Sequence, residues 1–333
     1  MTMQRRNLLI AGAITGLATP SIAGAQGGQQ GDATSGNPLR LIVPWPAGGS
    51  TDLIARTFQP HLQEVLGRAV LVENRPGSSG AAGAQEVVRA APDGATWLLA
   101  FDTEATNQTA MQLPYRTLEA FAPVTLVATG PIALVAHRFA PYTTYADVVR
   151  AARRSPEAVR YATSGVGGVA HVAARLLQQA SGYRMVHEPY PGGGPAAQAV
   201  VAGRVPLLMS NVVAVREHIR SGALRPLGVS TREATRHLPG TLPFAQQGAG
   251  DFEAHTWWAL LGVAGTPELL RRQMEEAMSR VLDEPEVRTR IESLGADIAA
   301  SSAEDCAAFL QTEIEKWGRV IRDNNIRVDA GAG

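Results

Sequence analysis

From Tyr145 to Ser230 the chain alternates segments of helical and extended character without a break. Tyr145 to Arg154 reads as helix, Val159 to Thr163 as strand, Ala170 to Ala180 as helix, Met185 to Tyr190 as strand, Ala196 to Ala202 as helix, Val205 to Ser210 as strand, Val212 to Ser221 as helix and Leu224 to Ser230 as strand. Such alternation predicts a parallel sheet with helices on both faces. Right-handed crossovers then place every strand-to-helix loop along one edge. Two of those loops are glycine-rich and run into helix starts: Thr163-Ser164-Gly165-Val166-Gly167-Gly168-Val169-Ala170-His171 and Glu188-Pro189-Tyr190-Pro191-Gly192-Gly193-Gly194-Pro195-Ala196.

An earlier stretch has the same outline. Leu39 to Arg56 is a short apolar run, a turn of Pro and Gly, and Ser50-Thr51-Asp52 entering an amphipathic segment whose apolar face carries Leu53, Ile54, Thr57 and Phe58. Ser50, Thr51 or Asp52 can cap that helix. A helix start aimed out of a glycine turn leaves N–H groups unpaired and a partial positive charge facing outward, which suits a carboxylate or phosphate. The turn lacks the Lys-Ser/Thr ending of a P-loop and the spacing of a dinucleotide turn. With the two later loops, three helix starts are expected to converge on one cleft and to bind a small anion without a formal positive charge.

The rest of the chain supplies the frame. Ala69 to Asn74 and Trp97 to Phe101 read as strands; the first breaks at the glycine turn Arg75 to Gly80, and the second ends in Asp102-Thr103-Glu104, two acids where a strand delivers its loop to a site. One acid is expected to cap the next turn and the other to be solvated. Val124 to His137, extended and without helical period, suits a strand crossing between domains. After a Pro- and Gly-rich return, His255 to Val263 is a strand in which Trp257 and Trp258 point to opposite faces. Helices at Pro267 to Leu282 and Glu284 to Leu294, a short strand at Asp297 to Ala300 and a final helix from Ala303 are expected to complete the first domain. The domains expected are 38–130 with 231–333, and 131–230.

The N-terminus carries Arg5-Arg6, an apolar stretch from Leu8 to Leu17 too short to span a bilayer, and Ala23-Gly24-Ala25. This is the pattern of an export signal over residues 1–25, by a Sec or a twin-arginine route, cleaved after Ala25 into the periplasm. Residues 26–37 form a flexible leader. Composition narrows the partners. Formal net charge is 0 and Lys316 is the only lysine, so no basic stripe points to nucleic acid. A single cysteine, Cys306, excludes an internal disulfide and a Cys-rich metal site.

Taken in order, several motifs form one set: Val43-Pro44-Trp45-Pro46-Ala47-Gly48-Gly49-Ser50-Thr51-Asp52, Glu73-Asn74-Arg75-Pro76-Gly77, Ala91-Pro92-Asp93-Gly94, Ser164-Gly165-Val166-Gly167 with His171, Pro189-Tyr190 with Gly192-Gly193-Gly194-Pro195, and Leu282-Asp283-Glu284-Pro285-Glu286-Val287-Arg288. Across the whole mature chain this set resembles the extracytoplasmic substrate-binding proteins of tripartite tricarboxylate transporters, also called Bug receptors. The resemblance implies an α/β, type II periplasmic-binding-protein fold, with two doubly wound domains joined by a two-strand hinge and a ligand cleft between. It also implies a carboxylate ligand held by backbone amides, hydroxyls and waters, and delivery to membrane permease subunits. No cofactor, metal or catalytic residue is expected, and the chain is expected to be a monomer.

The ligand-binding residues expected are Trp45, Ala47, Gly48, Gly49, Ser50, Thr51, Asp52, Asp102, Thr103, Ser164, Gly165, Gly167, His171, Tyr190, Gly192, Gly193 and Asn211. Among these, Asp52 reads first as a helix cap, and the glycines also serve turn geometry. The chain departs from the family pattern in having Gly168 for a second hydroxyl, Pro191 for a base after the Pro-Tyr pair, and Asp102 and Glu104 where small residues or His are usual. Two added acids and one lost base favour a ligand with one carboxylate, an organic acid, amino acid or amide, over a di- or tricarboxylate. Two other functions compete: a receptor presenting its ligand to a membrane sensor kinase, and an exported hydrolase using Ser164 and His171, for which no Gly-x-Ser-x-Gly elbow and no orienting acid is present.

Overall fold

The computed structural model describes residues 37–326; the export signal and all of the leader before residue 37 lie outside the described residues. The strands are β1 (Leu39–Val43), β2 (Val70–Asn74), β3 (Thr96–Phe101), β4 (Phe121–His137), β5 (Arg160–Thr163), β6 (Val186–Pro189), β7 (Leu207–Asn211), β8 (Leu224–Val229), β9 (His255–Val263) and β10 (Asp297–Ile298). The helices are α1 (Ser50–Leu66), α2 (Ala81–Val88), α3 (Thr103–Ala110), α4 (Thr117–Ala120), α5 (Tyr145–Arg154), α6 (Val169–Ala180), α7 (Gly193–Val201), α8 (Val212–Arg220), α9 (Glu268–Asp283), α10 (Pro285–Leu294) and α11 (Ala303–Asp323).

One strand organises the rest. β4 pairs with β9 from Phe121 to Pro131 and with β7 and β8 from Ile132 to His137, so it belongs to two sheets in turn. The first sheet runs β2-β1-β3-β9-β4, with β10 on the far edge of β4; the second runs β6-β5-β7-β4-β8. β1 is parallel to β2 and β3, and β5 is parallel to β6 and β7, whereas β9 and β8 run antiparallel to their partners. The wholly parallel second sheet expected from alternation is mixed because β4, which runs antiparallel to both β7 and β8, lies between them; β5, β6, β7 and β8 keep one direction. Where β4 passes from one sheet to the other, Ser230 N–H donates to the Ile132 carbonyl at 2.8 Å and Ser230 Oγ accepts from Ile132 N–H at 2.9 Å.

Local chemistry fixes several boundaries. α5 begins in a capping box in which Thr144 and Asp147 satisfy each other's backbone donors. α1 ends at Gly67, whose φ of 61° is the left-handed cap that a side chain disfavours. The buried face of α1 is Ile54, Ala55, Phe58 and Leu62; Leu53 and Thr57 are only half-buried, a shift of one position from the face read off the sequence. In β9, Trp257 and Trp258 are both fully buried and sit in different apolar clusters on opposite faces of the sheet, as the two-residue period of a strand requires.

Candidate functional site

The β1–α1 turn is held by Asp52. Its carboxylate accepts Gly48 N–H at 2.9 Å, Arg56 Nε at 2.9 Å and Asn74 Nδ2 at 3.0 Å. Burial alone would raise its pKa, but Arg56, the Gly48 amide and Asn74 outweigh that and hold it below the ordinary carboxylate range. Asp52 is thus a pin inside the turn, and α1 has no side-chain cap at its start, which lies at Gly49. The cap expected from Ser50, Thr51 or Asp52 is absent because the cap position is Gly49, which has no side chain, and the three candidates lie within the first turn of the helix, where Asp52 accepts Gly48 N–H instead. Its neighbour Thr51 accepts Trp258 Nε1 at 3.2 Å.

Across from this turn, in the second sheet's half, α7 starts at Gly193 behind Gly192, whose φ of 130° leaves little room for a side chain, and it too has no side-chain cap. The two starts face each other over a chamber of about 30 Å3 lined by Trp45, Pro46, Ala47, Gly49, Ser50, Thr51, Phe101, Ser164, Gly192, Gly193, Gly194, Pro195 and Asn211. Asn211 joins the halves: its Oδ1 accepts Ala214 N–H and caps α8, and its Nδ2 donates to Ser50 Oγ at 3.3 Å. Trp45 packs edge-on against Phe101, which in turn packs on Trp258. No charged side chain lines the chamber.

The chamber adjoins a wider vestibule of about 660 Å3, with which it shares Trp45, Pro46, Ser164 and Pro195. The other walls are Pro76, Gly77, Ser78, Ser79, Gly165, Val166, Pro189, Tyr190 and Pro191. Ser79 Oγ donates to the Val166 carbonyl at 3.1 Å, a second tie between the halves. Ser78 and Ser79 both hold positive φ, 48° and 51°, a conformation of a kind that recurs at ligand clamps.

The third glycine loop does something else. At the start of α6, His171 Nδ1 accepts Gly167 N–H at 3.1 Å, and the His171 ring stacks on His187 at 3.9 Å. Burial, then His187 and Arg175, push the His171 pKa far down, so the ring is neutral. It makes no hydrogen bond to Ser164. Facing α6 from the first sheet's half is Asp102, only 2% exposed. Its Oδ2 accepts Thr256 Oγ1 at 2.5 Å while Oδ1 has no hydrogen-bond partner. Burial raises its pKa to about 8; the Thr256 bond opposes this, Glu313 adds to it, and the nearby Val169 N–H of α6 opposes it.

Of the residues expected from sequence, Trp45, Ala47, Gly49, Ser50, Thr51, Ser164, Gly165, Tyr190, Gly192, Gly193 and Asn211 line the chamber or vestibule, and Gly48, Asp52, Asp102, Thr103, Gly167 and His171 do not. The solvated acid expected at the end of β3 is corrected too. Glu104 is buried and accepts Thr117 Oγ1 at 3.0 Å and Tyr115 Oη at 3.1 Å, with its pKa raised by burial to about 7 against those two bonds. The two extra acids do not line the cavity. Pro46, Phe101, Val166, Pro189, Pro191, Pro195 and the turn at Pro76 to Ser79 are further lining residues outside the set expected from sequence. That turn closes a parallel strand on the same loop edge as the others, a signal sufficient to place it there.

Comparisons with known proteins agree with this geometry. Residues 54–326 match the family model described as tripartite tricarboxylate transporter family receptor. The chain is 30% identical over 300 residues to the protein BugT of Bordetella pertussis, covering 89% of this chain and 92% of the relative. Among solved structures, Rpa4515 of R. palustris with adipate superposes with a TM-score of 0.84 at 27% identity, covering 87% of this chain and 98% of that one. MatC from Rhodopseudomonas palustris with bound malate gives 0.81 at 28%, covering 85% and 98%. Among the described residues, no helix is long and apolar enough to cross a membrane.

Proposed function

Because the chain belongs to the tripartite tricarboxylate transporter receptor family, we propose that it is a periplasmic solute-binding receptor. In this reading it captures a small carboxylate between the halves joined by β4 and presents it to a permease of the tripartite type. One observation carries the reading: two helix starts without side-chain caps, α1 and α7, open from opposite halves onto one chamber whose lining has no charged side chain. Backbone N–H groups at helix starts favour an anion, and neutral donors bind it without locking it in. The contacting groups are the N–H groups of Ser50, Thr51, Gly193 and Gly194 with the Ser50 and Ser164 hydroxyls and the Asn211 amide. The adipate and malate bound by the two structural relatives support a carboxylate as the ligand.

Closure is part of the mechanism. Asn211 to Ser50 and Ser79 to Val166 both cross between the halves, so a ligand that fills the chamber adds contacts on both sides and favours the closed form. A partner permease would recognise that form. Export through the signal ending at Ala25 places the receptor in the periplasm, and its domains are 38–130 with 231–333, and 131–230, with the crossings at Thr129 to Ile132 and Ser230. No catalysis is assigned, since Ser164 and His171 are not paired.

Thermal unfolding of the mature chain with adipate, malate, benzoate and hexanoate tests the reading. At least one should raise the melting temperature progressively with concentration, by the equivalent of about 2.7 kcal/mol at a hundredfold excess over Kd, and be recovered unchanged. Stabilisation by none of the four, or consumption of a ligand, contradicts it.

A further inference from the structure

The chamber and the vestibule differ in chemistry as well as in size. The chamber, at about 30 Å3, has room for about two water molecules, or for the two oxygens of one carboxylate in their place. Its polar groups are donors suited to that head. The vestibule, at about 660 Å3, falls within the ordinary range for a small-molecule site and shares Trp45, Pro46, Ser164 and Pro195 with the chamber. Its walls are proline rings, the Val166 side chain, the Tyr190 ring and the Trp45 indole, with polar groups limited to the Tyr190 and serine hydroxyls, the Trp45 N–H and the backbone, and no charged side chain. The charged groups beside it are committed elsewhere. Arg75, next to Pro76, is paired with Glu73 and Glu86, and Glu188, next to Pro189, is paired with Arg160.

From this we infer that the ligand is a monocarboxylate with an uncharged apolar body, its carboxylate in the chamber and its alkyl or aryl part among the vestibule prolines. This inference rests on the carboxylate-receptor reading and narrows it. A second carboxylate on the body would lie in the vestibule with no cation to meet it, so it would be desolvated without compensation. A distal ammonium fares no better, since Asp102 and Glu104 are buried away from the cavity and line neither space. Prolines and aromatic rings offer rigid apolar surface that loses little entropy on binding, which suits a flat ring or a short alkyl chain.

Calorimetric titration of the mature chain with benzoate, hexanoate, adipate and malate tests the inference. Benzoate or hexanoate should bind at least about tenfold more tightly than either dicarboxylate. Hexanoate and adipate share a six-carbon chain and differ in the distal carboxylate, so their ratio reads the vestibule directly. Pro191→Arg, which adds a cation on the vestibule wall, should shift that ratio toward adipate by about tenfold; a melting temperature within a few degrees of the parent shows that the variant folds. Preference of the parent for adipate or malate, or a ratio unmoved in folded Pro191→Arg, overturns the inference alone. Binding of none of the four acids overturns the receptor reading with it.

Discussion

The starts of α1 and α7 and the start of α6 are built from the same kind of sequence, a strand end followed by glycines and an uncapped helix, yet they face different things. α1 and α7 open on the chamber. α6 instead meets Asp102, a protein carboxyl that arrives from the other half with Thr256 as its partner. A helix start supplies a place for an acid, and what the opposite half brings decides whether that acid belongs to a ligand or to the fold. The cost differs as well. Asp52, within the α1 turn, is charged and satisfied by Arg56, Asn74 and Gly48, whereas Asp102 has no cation and retains its proton to about pH 8.

The largest expected effect comes from giving the chamber what α6 already has. Ser164→Asp places a fixed carboxylate beside the α1 and α7 starts, and carboxylate affinity should fall by at least about a hundredfold in calorimetry. A loss under tenfold would locate the anion elsewhere. Removing the acid at α6 should instead cost stability: Asp102→Ala leaves Thr256 Oγ1 without its acceptor in a buried setting, a loss of about 1–3 kcal/mol in denaturant unfolding.

The same carboxyl gives a pH signature. The native state keeps the Asp102 proton to about pH 8, while the unfolded chain releases it near the ordinary aspartate value of 3.8. The unfolded state therefore binds fewer protons between those values, and this group's contribution to stability falls as pH rises through that window. Glu104, raised to about 7, acts in the same sense. Asp52 acts in the opposite sense, its contribution being lost as pH falls. The difference isolates Asp102: between pH 5 and 8 the melting temperature of the parent should fall relative to that of Asp102→Asn, by several degrees. Parallel curves would show that Asp102 is not protonated in the fold.

Two smaller effects concern the ties between the halves. Asn211→Ala removes the α8 cap and the contact to Ser50 and should cost about 1 kcal/mol of stability, with a loss of up to about tenfold in affinity. Ser79→Ala removes one hydrogen bond to the Val166 carbonyl and should cost about 0.5–1.5 kcal/mol. Equal effects of the two on affinity would mean that chamber and vestibule contribute alike to closure.

Much of this was legible in the sequence where the signal was local. The β1–α1 turn, the Gly192 loop and the crossing strand β4 follow from glycine position, strand-to-helix alternation and the absence of helical period. Ser164 and Asn211 follow from lying where strands end on the loop edge. The fate of Asp102 did not follow, because an acid after a strand reads the same whether it meets solvent, a ligand or the other half. Its partner Thr256 stands 154 residues away. The vestibule wall at Ser78 and Ser79 escaped for a related reason: its positive φ values carry no periodic signal, and its contact to Val166 spans 87 residues. The charge premise drawn from Asp102 and Glu104 fails with their burial. Loss of a base at Pro191 and the uncharged vestibule lead to a single carboxylate by another route.

A crystal structure of the mature chain with a bound carboxylate tests the central claim most directly. The ligand's carboxylate oxygens are predicted within about 2.7–3.2 Å of N–H groups at the starts of both α1 and α7, with Asp102 still bonded to Thr256. A carboxylate seated instead at the start of α6 beside Val169, with Asp102 displaced, would contradict the account.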